Sequence, residues 1–430
     1  MHGCFGVTEL REMKDSGIDW IGAIPTEWTL APITKKLSQI VDYRGKTPEK
    51  VDEGIFLVTA KNIKDGKIDY NISKEYVRES EYSEIMHRGM PVIGDVLFTT
   101  EAPLGSVANV DNVNIALAQR IIKFTPDSEL NPYFLKYWIM NQGFQQFLQT
   151  LSTGSVATGI KASKLFLLPI IIPPIYEQEC IVKKLDIKCS EIDTLISAIQ
   201  SQIETLEEYK RSVITEAVTK GLDPDVEMKD SGVQWIGKMP VHWDCQRGKY
   251  ILRYVQKPVR DDDGVITCFR DGEVTLRSNR REEGFTMADK EIGYQGIDVG
   301  DLVVHGMDGF AGAIGISDSR GKASPVLNVL DTEQSKRYIM YYLRSMAYND
   351  VFVALATGIR VRSCDLRWNK LAELLYPLPP IEEQQAIVEH IDSVLERTNA
   401  IIADKKQQIE TIEEYKKSLI FEYVTGKKEV

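Results

Sequence analysis

Few stretches of this chain hold the residue types that enzymes use, and each lacks a necessary partner. Asn131-Pro132-Tyr133-Phe134 fits loosely the N-P-P-Y/F pattern that grips an extruded base for amino-methylation, but the second proline is missing. The four residues open an amphipathic run instead of following a buried strand. No glycine-rich loop for S-adenosylmethionine accompanies them. GFAGAIG at 309–315 has the wrong glycine spacing for a dinucleotide site and no helix after it. Glu-Met-Lys, at 12–14 and again at 227–229, matches the end of a nuclease motif without the acid on a strand that would complete it. The six cysteines form no CxxC pair and the five histidines offer no metal-ligand spacing, which fits a reducing cytoplasm and argues against zinc or a disulfide framework. A chain without catalytic machinery is expected.

What does recur is framework. KDSGIDWIGAIPTEW at 14–28 returns as KDSGVQWIGKMPVHW at 229–243, nine of fifteen positions identical. PPIYEQECIV at 173–182 returns as PPIEEQQAIV at 379–388, and QIETLEEYKRSVITEAVTKG at 202–221 as QIETIEEYKKSLIFEYVTGK at 408–427. The offset falls from 215 to 206, so the second intervening block is shorter by nine. The order is short motif, block, long segment, written twice. At 430 residues more than one domain is expected anyway.

The long segments read as helices. Ile181, Leu185, Ile192, Ile196, Ile199 and Ile203 fall on a 3–4 spacing, and Ile387, Ile391, Val394, Ile401, Ile402, Ile409 and Ile412 repeat it. Prolines precede both runs, acidic residues follow, and Gly221 and Gly426 close them. About 45 residues at ~1.5 Å each make a rod of roughly 65–70 Å. One apolar stripe on each rod predicts that the two pair with one another.

The blocks between are mixed α and β and echo each other weakly. Gly94-Asp95 aligns with Gly300-Asp301, and YFLKYW at 133–138 with YIMYYL at 338–343. LNPYFLKYWIMNQGFQQFLQTL at 130–151 reads as a single amphipathic helix. Gln119 and the two Gly-Asp pairs read as turn or core features. The net charge of −11 is uneven: residues 175–219 hold 5 basic against 9 acidic side chains, and 381–424 hold 5 against 10. Residues 29–172 (16 against 15) and 244–378 (19 against 19) are balanced. The acidity therefore sits on the rods, which leaves the blocks free to meet a polyanion. No apolar run is long enough for a membrane span.

The pattern K-D-S-G-x-x-W-I-G-x-x-P-x-x-W, the P-P-I-x-E-Q helix start and the E-E-Y-K-x-S-x-I helix end resemble the specificity subunit of type I restriction–modification enzymes, over the whole chain. The resemblance implies an α+β chain with an internal pseudo-two-fold repeat. Two α/β target-recognition domains of similar fold, 29–172 and 244–378, would be joined by a central helix (173–221) and a C-terminal helix (379–430) in an antiparallel coiled coil. Framework motifs at 1–28 and 222–243 would precede the two domains. It implies double-stranded DNA, two adenine-methyltransferase (modification) subunits and restriction subunits as partners. It implies no cofactor on this chain: S-adenosylmethionine belongs to the methyltransferase partner, and ATP and Mg to the restriction partner. Each domain would read one half of a bipartite, asymmetric DNA target, with the spacer setting the gap.

Phosphate contacts call for Lys or Arg, and base edges suit Arg, Lys, Asn and Gln. In the first block DYRGKTPEK, TAKNIKDGK and STGSVATGIKASK nominate Arg44, Lys46, Thr47, Lys61, Asn62, Lys64, Ser155, Thr158 and Lys161. In the second, RDGEVTLRSNRR and TGIRVRSCDLRW nominate Arg270, Arg277, Asn279, Arg280, Arg281, Arg360, Arg362 and Arg367. Trp20, Trp28, Trp235 and Trp243 are expected to form, with Ile21 and Pro25, a clasp that mounts each block on the rod. Tyr209 and Tyr415 join them as framework or docking residues. Two other readings remain at this stage: a coiled-coil scaffold that binds proteins, and a methyltransferase in its own right.

Overall fold

The computed structural model describes residues 11–43, 48–153, 158–280, 292–355 and 366–430. They fall into two compact units, residues 1–199 with 407–430, and residues 200–406. Each long helix thus contributes one part to each unit, whereas the sequence divides naturally at the helix ends.

In the first unit, strands β1 (Leu37–Asp42), β2 (Val96–Thr99), β3 (Val107–Asn109) and β4 (Ile121–Pro126) form one antiparallel sheet in the order β3-β2-β4-β1. All four residues of β2 are buried, which is why Val-Leu-Phe-Thr shows no polar alternation. Beside it, Ile115–Leu117 pairs in parallel with Ile55–Val58. Helix α1 (Pro132–Met140) covers the sheet, with Phe134, Leu135, Tyr137, Trp138 and Ile139 in the same core as Phe98 and Phe124. Asn131 starts α1: its side chain accepts from the amides of Tyr133 and Phe134, and Pro132 needs no donor there. The expected single helix over 130–151 is in fact two. Asn141 adopts extended backbone and caps a second helix, Gln142–Leu151, by accepting from Phe144 N at 2.9 Å.

Helix α2 (Ile175–Lys220) follows, 46 residues long. The second unit repeats the plan with β5 (Arg253–Val255), β6 (Leu302–His305), β7 (Ile314–Ile316) and β8 (Leu327–Asp331), again antiparallel, in the order β5-β8-β6-β7. Helix α3 (Lys336–Tyr348) covers this sheet, and α4 (Ile381–Val424) is the second rod.

The rods pair antiparallel inside each unit. In the first, Ile181, Leu185 and Ile192 of α2 share a core with Leu419, Ile420, Tyr423 and Val424 of α4, and Lys416 meets Asp193. In the second, Lys405 reaches Gln202 and Lys210 reaches Asn399 at 2.8 Å, with Ile214 and Val218 buried alongside Ile387 and Ile391. Ile401, counted on the stripe, is exposed, and its neighbour Ile402 takes the buried position. Among the described residues no helix is long and apolar enough to cross a membrane.

The helix alignment needs a one-residue correction. Ser335 caps α3 by accepting from Tyr338 N, so it stands where Asn131 stands in α1, an offset of 204 rather than 205. Phe134 then corresponds to Tyr338, Tyr137 to Tyr341 and Trp138 to Tyr342. Both Tyr137 and Tyr341 donate a hydroxyl to a rod carboxylate, Asp186 at 2.6 Å and Asp392 at 2.5 Å. Burial first, then the carboxylate, pushes the Tyr341 hydroxyl up to about 12, so it stays a donor.

Close approach of backbone fixes Gly315. A Cβ on Gly315, in β7, would sit 1.9 Å from the carbonyl oxygen of Gly272. Gly315→Ala is expected to cost about 1–3 kcal/mol through forced backbone displacement, read as a lowered urea midpoint. An unchanged midpoint would show that the Gly272 turn yields freely.

Candidate nucleic-acid interface

Two clasps mount the domains, one in each unit. In the first, Met13–Asp15 pairs with Ala23–Pro25 as a hairpin that carries Ile21, Ile24 and Trp28 into the core. Trp28 is fully buried and donates its indole N–H to Glu177 Oε2 at 2.9 Å, three residues into α2. Arg11 binds both oxygens of Glu177 and also contacts Glu27, and these bonds, the one to Glu177 foremost, hold its guanidinium further into the charged range. In the second, Trp243 donates to Glu383 Oε1 at 3.0 Å, again three residues into its rod, and His242 contacts Glu383 Oε2 at 2.8 Å. A carboxylate at a helix N-terminus is favoured there by the helix dipole, and the indole N–H gives it a fixed partner.

Trp20 and Trp235 serve a different purpose. Trp20 lies half-buried against Trp138, ring centroids 5.7 Å apart, and Trp235 donates to the Tyr342 hydroxyl at 3.1 Å. Both therefore touch corresponding residues of α1 and α3. Tyr209 and Tyr415 project from the rods, 50% and 54% exposed. Two mounting residues were missed, Gln178 and Gln384, both fully buried. Each accepts from the helix-cap amide (Asn131 N at 2.8 Å, Ser335 N at 3.0 Å) and donates to the preceding proline carbonyl. The repeated P-P-I-x-E-Q was the signal for both.

The described ends of two polar loops meet on one rim of the first unit. β1 ends and β4 begins there, since Ile122 pairs with Asp42 and Ile121 with Thr99. Thr100 N donates to Arg120 O at 3.0 Å, and Ile160 N to Thr100 O at 3.0 Å, zipping three segments together. Thr158 and Lys161 are exposed on this rim. Lys61, exposed, sits in the turn after Ile55–Val58, and Lys64 lies on the hairpin 63–68, which is seated on α1 through Gly66 and Met140. Lys61, Lys64 and Lys161 have no ion-pair partner among the described residues. Beside the rim a cleft of about 430 Å³ is lined by Tyr43, Glu84, His87, Arg88 and Gln119.

Asn62 is a correction. It is fully buried: its carbonyl accepts from Thr59 N and Oγ1, and its amide donates to the carbonyls of Asp69 and Ile72. A side chain with every polar group engaged inside the fold cannot present itself to a base edge. The sequence hid this because a lysine precedes it and a glycine-containing turn follows.

In the second unit Gly306 N donates to Val326 O and Leu366 N to Gly306 O, both at 2.8 Å, reproducing the zipper. Arg367 is exposed beside it, its stem over Gly306. Arg270, exposed, reaches Asp308 at 2.9 Å on the same rim. His305 accepts from the Met307 and Asp308 amides through Nδ1, and burial holds it below the usual imidazole range. Arg277 contacts Thr267 Oγ1 and Asn279 contacts Thr275 Oγ1. Arg280 is bound to Asp271 and Glu273 and lies 4.2 Å from the Phe269 ring centroid. Arg44, Lys46, Thr47, Ser155, Arg281, Arg360 and Arg362 lie outside the described residues. Among the described residues no group of His, Cys, Asp and Glu could hold a metal ion.

A family model described as type I restriction modification DNA specificity domain matches residues 34–205 and 303–411. A Methanocaldococcus jannaschii protein assigned as the type I restriction enzyme MjaX specificity subunit is 24% identical over 424 residues, covering 95% of each chain. The MjaVIII specificity subunit of the same organism is 24% identical over 427 residues, covering 94% of this chain and 93% of that one. A chain solved in work on complex assembly and conformational transition of the type I R-M system superposes with a TM-score of 0.65 at 16% identity. That match covers 93% of this chain and 98% of the other, and speaks for the fold.

Proposed function

This chain belongs to the type I restriction–modification DNA specificity family, and from that premise we propose a division of labour within it. It is a non-catalytic specificity subunit, and each unit reads one half of a bipartite, asymmetric target in double-stranded DNA. The rods set the gap between half-sites. The clasps and the exposed rod faces, Tyr209 and Tyr415 among them, dock two methyltransferase subunits, through which restriction subunits join. S-adenosylmethionine is bound by the first partner, and ATP with Mg by the second. Thr158, Lys161, Lys61 and Lys64 in the first unit, and Arg270, Arg277, Asn279, Arg280 and Arg367 in the second, supply contacts to phosphate and bases.

One observation carries this reading. The mounting bonds recur pair for pair, Trp28–Glu177 with Trp243–Glu383 and Asn131–Gln178 with Ser335–Gln384, while the rims they carry differ in chemistry. Matching mounting bonds under different surfaces suit two readers of two different sequences.

Exchange of residues 29–172 for the matching block of a relative tests it, with the methylated motif read by single-molecule sequencing. One half of the motif should change and the other persist; a change in both halves or in neither refutes the modular reading. Specific binding by the assembled complex should also weaken steeply with salt as counterions are released. A protein-binding scaffold would bind no DNA at any salt concentration, even with its partners.

A further inference from the structure

The two zippers give a shared frame in which corresponding rim positions can be compared. Thr100, Arg120 and Ile160 in the first unit are joined by the same two backbone bonds as Gly306, Val326 and Leu366 in the second, each pair 206 apart. Three outward positions follow from that frame. The first holds Lys161 in one unit and Arg367 in the other, a cation in both, exposed in both. The second holds Glu101 and Met307, the third Arg120 and Val326.

At these last two the units part company. Arg120 Nε contacts Glu101 Oε1 at 3.0 Å, with side chains 57% and 43% exposed. In the second unit the same places carry Met307, 51% exposed, and half-buried Val326. Two half-sites share their sugar–phosphate backbone and differ in their bases. A position with the same chemistry in both frames suits the shared feature, and positions with different chemistry suit what differs.

We infer that Glu101 and Arg120 read a G·C pair in the half-site of the first unit, while Met307 and Val326 meet a thymine methyl in the half-site of the second. Lys161 and Arg367 anchor phosphate. The inference rests on the reading that each unit takes one half-site. The guanidinium fork matches guanine O6 and N7, a carboxylate accepts from cytosine N4, and an apolar side chain suits the C5 methyl group. The Glu101–Arg120 contact holds both groups extended at the rim. Being exposed, it costs little to break when DNA arrives.

The test uses the full chain expressed with its methyltransferase partners, the methylated motif being read by single-molecule sequencing. Arg120→Gln and Glu101→Gln should each relax a G·C position in one half of the motif and leave the other half intact. Lys161→Gln should keep the motif and reduce the salt dependence of DNA binding by about 0.9 in the log–log slope, the loss of one phosphate contact. Uracil in place of thymine in the other half-site should weaken binding to the Met307 and Val326 face. An unchanged motif with both Gln variants, or a first-unit half-site without a G·C pair, overturns the assignment. If Arg120→Gln abolishes methylation, Arg120→Lys keeps the cation and loses the fork. A relaxed position then supports the inference, whereas an unchanged motif or no methylation makes Arg120 an anchor and overturns it. Failure of the 29–172 exchange would instead strike the half-site reading itself.

Discussion

Trp28→Ala is expected to destabilise the first unit by about 3–5 kcal/mol, the range for deleting a buried large aromatic side chain. Trp28 is fully buried among Ile21, Ile24 and the start of α2, with Arg11 over one face of its ring at 5.2 Å and Gly426 against its edge. Removing it leaves a cavity and takes from Glu177 its indole donor. Trp243→Ala should act likewise on the second unit. Unfolding in urea should show one transition moved and the other retained, because a two-unit chain need not unfold in one step. Trp28→Phe keeps most of the volume and should cost far less. At a temperature where the variant stays folded, the methylated motif should be that of the wild type. A loss below about 1 kcal/mol, outside the range for such deletions, or a changed motif would contradict the mounting role. The outer pair, Trp20 and Trp235, only half-buried, should give smaller losses than Trp28 and Trp243.

Lys123→Met should be nearly as damaging, by another mechanism. Lys123 is 1% exposed, and its ammonium lies 2.7 Å from Asp95 Oδ2 and 3.1 Å from Thr125 Oγ1. Asp95 itself accepts from Thr125 Oγ1 at 2.7 Å and from Val92 N at 2.9 Å. Methionine fills the space of the lysine stem but leaves the carboxylate buried and uncompensated, which costs about 3–5 kcal/mol. The double variant Lys123→Met with Asp95→Asn removes both charges, keeps the turn's acceptor, and should recover most of that loss. Chemical denaturation of the two variants decides it. A single variant as stable as the double would show that water or a distant group already compensates Asp95.

Much of the architecture is written in the order of repeats, because mounting needs the same bonds twice and the same bonds need the same side chains. Glu177 and Glu383 were visible only as acids that favour a helix start, since their indole partners stand 149 and 140 residues away. The helix register misled by one residue because α1 is apolar nearly all round, so its periodicity marks no face. The caps, Asn131 and Ser335, settle it, and their chemistry is alike while their letters differ. Asn141 broke the predicted helix by the same capping chemistry. Asn62 was misjudged because an amide that closes a turn and an amide that meets a base look the same in a sequence. Glu101 and Arg120 escaped notice because the rim is assembled from segments far apart in the chain. Periodicity sees one segment at a time.

The Gly94-Asp95 and Gly300-Asp301 turns hold a lesson about how the two copies drifted apart. Both use the aspartate in the same way, accepting from the amide three residues earlier, Val92 N and Asp298 N. Their counter-cations differ. Asp95 is matched by Lys123 from β4, whereas Val329 occupies the corresponding place in β8 and Asp301 is matched by Lys257 at 2.6 Å. An aspartate stripped of its cation inside a domain only about 5–15 kcal/mol stable would be ruinous. An exchange of lysines that keeps the aspartate throughout therefore avoids that cost in one order: the incoming lysine first, the departing one afterwards. The charge ledger of the turn records which substitutions could follow which.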